Sequence, residues 1–410
     1  MTRDARGGPD QCSARRRHET KNSWTRREFL KYSGLGSLGV LASQVFQTDL
    51  TSTWPVPVGA SPGFALKGTI VTLNTLCQGA LNFQCNGWRI LQDLGVNVIA
   101  VAAGIEGDVA HFNMNNYPND WPQRLDGFLS LAEEHGIRVI FKQLGNQYGT
   151  LFDIVSPQPK RGIVGTPIDF AKQMIDMLAG DNLLRLNFIT DPRILAWSVA
   201  NEVDMGDPTT RDWCIDLLDY IRLRGGVAYM GSPYDSRAST DSTPDLAFDF
   251  HILEPTLRGH VDYLECHIYG LDAVLNAAMN GMDLYEATYD TFIQRLRTLM
   301  INGRGSFPLN KLILGEFGIW HGVAKGSRQV IRNFDDNQRA AYYMAVYRAA
   351  YELGLYNTFN MCCFDEKYED GTYLSPAYGI VDTDGTFYTG CTSVLQYYYK
   401  SPVSVRSRAQ

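Results

Sequence analysis

From about residue 64 onward, short apolar runs alternate with stretches of helical periodicity. Gly68–Leu73 is a β-branched run. Trp88–Leu94 has apolar positions at helical spacing, stops at Gly95, and leads into a second apolar run, Val96–Ala102. Leu125–Glu134 repeats the arrangement and stops at Gly136 before Ile137–Phe141. Phe170–Leu178 and Trp213–Leu223 are helical, with strands predicted at Ile194–Ala200 and Gly226–Met230. Val261–His267, Lys311–Leu314 and Tyr356–Cys362 supply three more strands, and amphipathic stretches at Tyr289–Met300 and Arg339–Leu353 precede the last two. Fully buried parallel strands read as continuous apolar runs, and glycine after a periodic segment is a helix stop.

Eight strands separated by helices require parallel pairing through right-handed crossovers. The expected fold is therefore α/β, a single (β/α)8 TIM barrel. A doubly wound open sheet is the rival. It would place a glycine-rich phosphate loop after the first strand, where Leu73-Asn74-Thr75-Leu76-Cys77-Gln78-Gly79 stands instead.

Charge divides the chain in two. Residues 1–60 carry a net +4 and the remainder a net −11. So acidic a body excludes nucleic acid as the expected partner. The basic head contains Thr25-Arg26-Arg27-Glu28-Phe29-Leu30-Lys31, a match to the twin-arginine export motif, followed by a weakly apolar Gly/Ser-rich stretch from Tyr32 to Phe46. That stretch is too short and too polar for a comfortable membrane span. Residues 1–60 are read as an export leader and linker recognised by the twin-arginine translocation machinery, and 61–410 as the barrel domain. The expected location is periplasmic, cell-surface or extracellular. Export permits disulfides, with Cys77 and Cys85 the plausible local pair. The remaining cysteines show no CxxC spacing, so inert packing is expected and no metal or cofactor is called for.

Two predicted strands end in a carboxylate. Glu202 closes the run from Ile194, and Glu316 closes the run from Lys311, 114 positions later. A charge at the end of a buried strand is costly unless paired, hydrogen-bonded or used. The C-terminal strand ends are where barrel enzymes place their chemistry, and two carboxylates there suit a glycosidase pair. Asn201 precedes the first carboxylate, and glycines flank the second in Gly315-Glu316-Phe317-Gly318. A third strand ends Glu265-Cys266-His267-Ile268-Tyr269, placing Glu265, His267 and Tyr269 on one face. Trp320, four residues past Glu316, is expected to offer a sugar-stacking platform, with Trp121 and Tyr148 as further cleft aromatics.

Trp197 through Asn201-Glu202, His267-x-Tyr269 and Gly315-Glu316 occur in the order found in retaining glycoside hydrolases of the clan that includes family 5 cellulases and mannanases. The chain resembles that clan over most of residues 64–395, including Gly95-Val96-Asn97-Val98 and the post-barrel Tyr378–Gly385. The resemblance implies Glu202 as acid/base and Glu316 as nucleophile, with its His-x-Tyr after strand six falling on His267 and Tyr269. Asn201, His267, Tyr269 and Trp320 are the expected substrate-binding residues. Three positions depart from it. Ala100 stands where the second strand usually ends in arginine, no histidine closes the third strand, and residues 355–370 lack the usual tryptophan. Lys142 is the candidate to supply the missing charge. The expected function is an exported retaining β-glycosidase acting on β-linked polysaccharide or oligosaccharide. The alternatives are a non-catalytic carbohydrate-binding barrel and a transglycosidase on cell-surface glycan.

Overall fold

In the computed structural model, the described residues are 65–72, 83–102, 119–142, 168–234, 255–299, 307–321, 333–361, 363–365, 378–382 and 385–400. Eight parallel strands close into a barrel in sequence order. They are β1 (Lys67–Thr72), β2 (Val98–Ala102), β3 (Arg138–Phe141), β4 (Ile194–Asn201), β5 (Ala228–Gly231), β6 (Tyr263–His267), β7 (Leu312–Phe317) and β8 (Thr358–Asn360). Closure runs through β8 onto β1, with Lys67 opposite Thr358 and Thr69 opposite Asn360. All eight sequence-predicted strands form, and β7 continues three residues beyond its predicted end to include both Gly315 and Glu316.

Helices cover the outside: α1 (Phe83–Leu94), α2 (Trp121–Glu134), α3 (Ile168–Leu178), α4 (Pro208–Leu223), α5 (Leu271–Met279), α6 (Leu284–Thr298), α7 (Asp336–Glu352) and α8 (Thr389–Lys400). Local chemistry sets their ends. Asp207 caps α4 by accepting from the Thr210 amide at 2.9 Å, with Pro208 in the first turn. Asp335 and Gln338 form a capping box on α7. Gly95 and Gly136 stop α1 and α2 at φ of +83° and +69°, where a Cβ would be strained. The sequence did not reveal α5. It begins at Gly270 with no side-chain cap, so no capping signal marks it.

Two apolar cores result. One lies between strands and helices, and the other fills the barrel with residues such as Ile70, Val98, Ala100, Ile140, Ile313 and Phe359. A Cβ on Gly68 would fall 1.8 Å from the Phe359 ring, so strand one gives up its side chain to admit that ring. Cys214, Cys266, Cys363 and Cys391 are buried free thiols within this packing. The leader, residues 1–60, and the Cys77–Cys85 pairing lie outside the described residues, as does Tyr148. Among the described residues no helix is long and apolar enough to cross a membrane.

Candidate active site

Strict alternation cannot by itself place Glu316 over the barrel mouth. Along β7, Leu312 and Leu314 share its parity and pack outward against the helices, whereas Ile313 packs inside the barrel. The register against β8 slips between Gly315 and Phe317, and Glu316 adopts φ +50°. The slip and the left-handed backbone turn its carboxylate inward. Glu202 shares both irregularities, with a register slip between Ser198 and Asn201 and φ +50°. Ser232, just after β5, is at φ +39° and accepts a hydrogen bond from the His267 amide at 3.2 Å. Three of the four non-glycine residues with positive φ among the described residues therefore ring the mouth. Such backbone costs about 1–3 kcal/mol per residue and concentrates at functional sites.

The side chains meet closely. His267 Nδ1 lies 2.7 Å from Glu202 Oε1 and 3.2 Å from Glu316 Oε2. Tyr269 donates its hydroxyl to Glu316 Oε2 at 3.3 Å, and Asn201 Nδ2 donates to Glu316 Oε1 at 3.5 Å. Glu316 is 12% exposed at its side chain and Glu202 is 41% exposed. The first sits on the floor of the site and the second faces solvent.

A buried ion cluster lies beneath them. Lys142, directly after β3 and 1% exposed, places Nζ 2.5 Å from Glu316 Oε1 and 3.0 Å from Glu265 Oε2. Glu265 Oε2 also sits 3.3 Å from His267 Nε2. Burial opposes ionisation of Glu265, but Lys142 and then His267 outweigh it and hold the carboxyl down to about 2. Burial likewise works against the His267 cation, yet the Glu316 and Glu265 carboxylates raise it to about 10. At neutral pH His267 is therefore an imidazolium, protonated on both nitrogens. Lys142 is desolvated too, and its two carboxylates still raise its pKa.

Glu202, His267 and Glu316 bring ligand atoms within 4.8 Å of one another. A metal ion could fit that spacing on distance alone. However, the Lys142 ammonium already sits on Glu316, and His267 carries a proton on the nitrogen facing both carboxylates. Coordination would have to displace both cations.

The structure thus brings together Asn201, Glu202, His267, Tyr269 and Glu316, and adds Lys142 and Glu265 to them. Two aromatic expectations are corrected. Trp320 is 4% exposed, with its ring edge-on to Phe334 at 5.9 Å and to Tyr378 at 6.0 Å. So enclosed a ring presents no platform. Trp121 is also buried, 5.8 Å from Phe188. The neighbour that encloses Trp320 comes from the post-barrel segment. There Gly379 donates to buried Asp365 at 2.9 Å, and Arg339 of α7 binds the carbonyls of Ile319 and Tyr378. Tyr378 itself is only partly buried, and its ring lies 6.2 Å from Tyr269.

No protein-family model matches the sequence, and no curated protein matches it. Solved structures do. An endo-1,4-β-D-mannanase from Thermotoga petrophila superposes with a TM-score of 0.53 at 16% identity, covering 82% of this chain and 99% of that one. The endo-1,4-β-mannanase from Rhizomucor miehei gives 0.54 at 15%, covering 83% and 97%. A β-glucuronidase from Faecalibacterium prausnitzii gives 0.52 at 12%, covering 82% of this chain but 49% of its own. These structures are glycoside hydrolases, and the fold they share with this chain is the single (β/α)8 barrel.

Proposed function

We propose that the protein is a retaining β-glycosidase that hydrolyses β-linked oligosaccharide or polysaccharide by double displacement. The observation that carries this reading is the approach of Glu202 and Glu316 oxygens to within 4.8 Å at the ends of β4 and β7. Retaining pairs stand about 5–5.5 Å apart, whereas inverting pairs leave about 6.5–9.5 Å for a water.

Each carboxylate has one role. Glu316, ionised beside Lys142, attacks the anomeric carbon as the bond to the leaving oxygen breaks. Glu202, held by His267 at Oε1, carries the acid proton and hands it to the leaving oxygen. The glycosyl ester on Glu316 is then hydrolysed by a water that gives its proton back to Glu202. Exposure of Glu202 suits exchange with leaving group and water, and burial of Glu316 suits a nucleophile in a low-dielectric floor. Lys142 also supplies the positive charge that Ala100 does not.

The test is turnover of a panel of β-linked polysaccharides and of 2,4-dinitrophenyl β-glycosides. NMR of the first-formed anomer should give the β product. Glu316→Gln should lower kcat/KM by at least about 10³-fold. An α first product would refute retention, and wild-type rates in Glu316→Gln would remove the nucleophile. Export by the twin-arginine route, from Thr25–Lys31, belongs to the same proposal. Cell fractionation that recovered the protein in the cytoplasm alone would refute it.

A further inference from the structure

The position held by Ala100 packs within the apolar barrel interior, and positive charge reaches Glu316 from the next strand instead. We propose that Lys142 and Glu265 form a positioning pair, in which Lys142 holds the Glu316 carboxylate aimed into the site, and Glu265 fixes both Lys142 and His267 while balancing their charge through the reaction. The inference rests on the retaining reading above.

The groups facing this pair come from five strands among the described residues. β3 brings Lys142, β4 brings Asn201 and Glu202, and β5 brings Tyr229. β6 brings Glu265, His267 and Tyr269, and β7 brings Glu316. Glu265 makes no approach to solvent, being fully buried, and its Oε2 is shared by Lys142 at 3.0 Å and His267 at 3.3 Å. Strand seven makes room for it. A Cβ on Gly315 would lie 1.8 Å from Glu265 Oε1, so the glycine before Glu316 accommodates this carboxylate rather than a sugar.

The charge count gives Glu265 its purpose. With Glu202 protonated, Glu316 and Glu265 offset Lys142 and His267, and the cluster is neutral. When the ester forms, Glu316 loses its charge as Glu202 gives up its proton, so Glu202 and Glu265 then offset the same two cations. Without Glu265 each of these states would carry an unbalanced cation in a buried site. A lysine is suited to this because its compact ammonium pairs with two carboxylates at once, 2.5 Å from Glu316 and 3.0 Å from Glu265.

The test uses 2,4-dinitrophenyl β-glycosides, whose leaving group needs no proton, and follows kcat and KM separately alongside the melting temperature. Lys142→Met should lower kcat at least about 10²-fold with KM within about twofold of wild type. Lys142→Arg, which keeps the charge, should recover most of that kcat. The double variant Lys142→Met with Glu265→Gln removes both buried charges together and should melt above Lys142→Met alone while kcat stays low. A merely structural lysine would give a kcat that recovers with the melting temperature in the double variant, which would overturn the proposal. If the wild type turns over no glycoside, the retaining reading fails separately. The pair is then read from carboxyl ¹³C NMR, with the Glu316 resonance assigned by its loss in Glu316→Gln. Its chemical shift should differ in Lys142→Met and return toward wild type in Lys142→Arg, and an unmoved resonance overturns the proposal.

Discussion

Gly315→Ala should come close to unfolding the protein, although it adds one methyl group. The new Cβ would lie 1.8 Å from Glu265 Oε1, 2.5 Å from Cδ and 2.6 Å from Cγ. Ordinary contact begins near 3.4 Å, so the Glu265 carboxylate must retreat by roughly 1.5 Å. It has no free direction, because Lys142 and His267 grip Oε2 and the residue is fully buried. Overpacking costs about 1–3 kcal/mol. Separating a buried ion pair costs about 3–5 kcal/mol more, since it strands uncompensated charge. The sum, roughly 4–8 kcal/mol, is comparable to the whole stability of a typical domain. At about 2 °C per kcal/mol for a chain of this size, calorimetry should record a fall of roughly 10 °C or more. Adding Glu265→Ala removes the clashing atoms, so Gly315→Ala with Glu265→Ala should melt above Gly315→Ala alone. A single variant melting within 1 °C of wild type, or a double variant no better than the single, would refute the account of how β7 accommodates Glu265.

Stability should also depend on pH through the same cluster. His267 is raised from its ordinary 6.5 to about 10, so its contribution is complete below pH 6.5 and is lost as pH rises through 10. Glu265 is lowered from 4.5 to about 2, so its contribution is complete above pH 4.5 and is lost as pH falls through 2. Melting temperature should therefore plateau between about pH 4.5 and 6.5 and decline toward pH 9.5. His267→Gln should flatten that alkaline decline, and an equal slope in wild type and variant would refute the assignment. Trp320→Ala should lower stability by about 3–5 kcal/mol, as expected for emptying a packed aromatic site. KM for oligosaccharide should scarcely change in the variant. A raised KM with an unchanged melting temperature would restore the platform role.

What could be read from the sequence follows from how local each signal is. Parallel barrel strands are buried on both faces, so each registers as an apolar run regardless of its neighbours, and glycines with positive φ mark the helix ends. The strand-end positions of Glu202, His267, Tyr269 and Glu316 were legible because chain order around a closed barrel equals spatial order. The supporting charges were less legible. Glu265 and His267 share a face of β6, which alternation revealed, but the reach of Lys142 to Glu265 spans from β3 to β6 across the barrel mouth. No spacing rule within a strand encodes a contact between side chains 123 positions apart. Trp320 failed for a related reason. A loop at the catalytic end normally implies exposure, but Phe334 and Tyr378, brought in by the segments before and after α7, enclose its ring. The inward aim of Glu316 was the most hidden feature, since its parity points outward and the register slip with the left-handed backbone at that residue reverses it. The strain at Glu202 and Glu316 is therefore part of the site's construction. Strand alternation supplies the apolar barrel below, and local irregularities at the ends of β4 and β7 bring the carboxylates within 4.8 Å above.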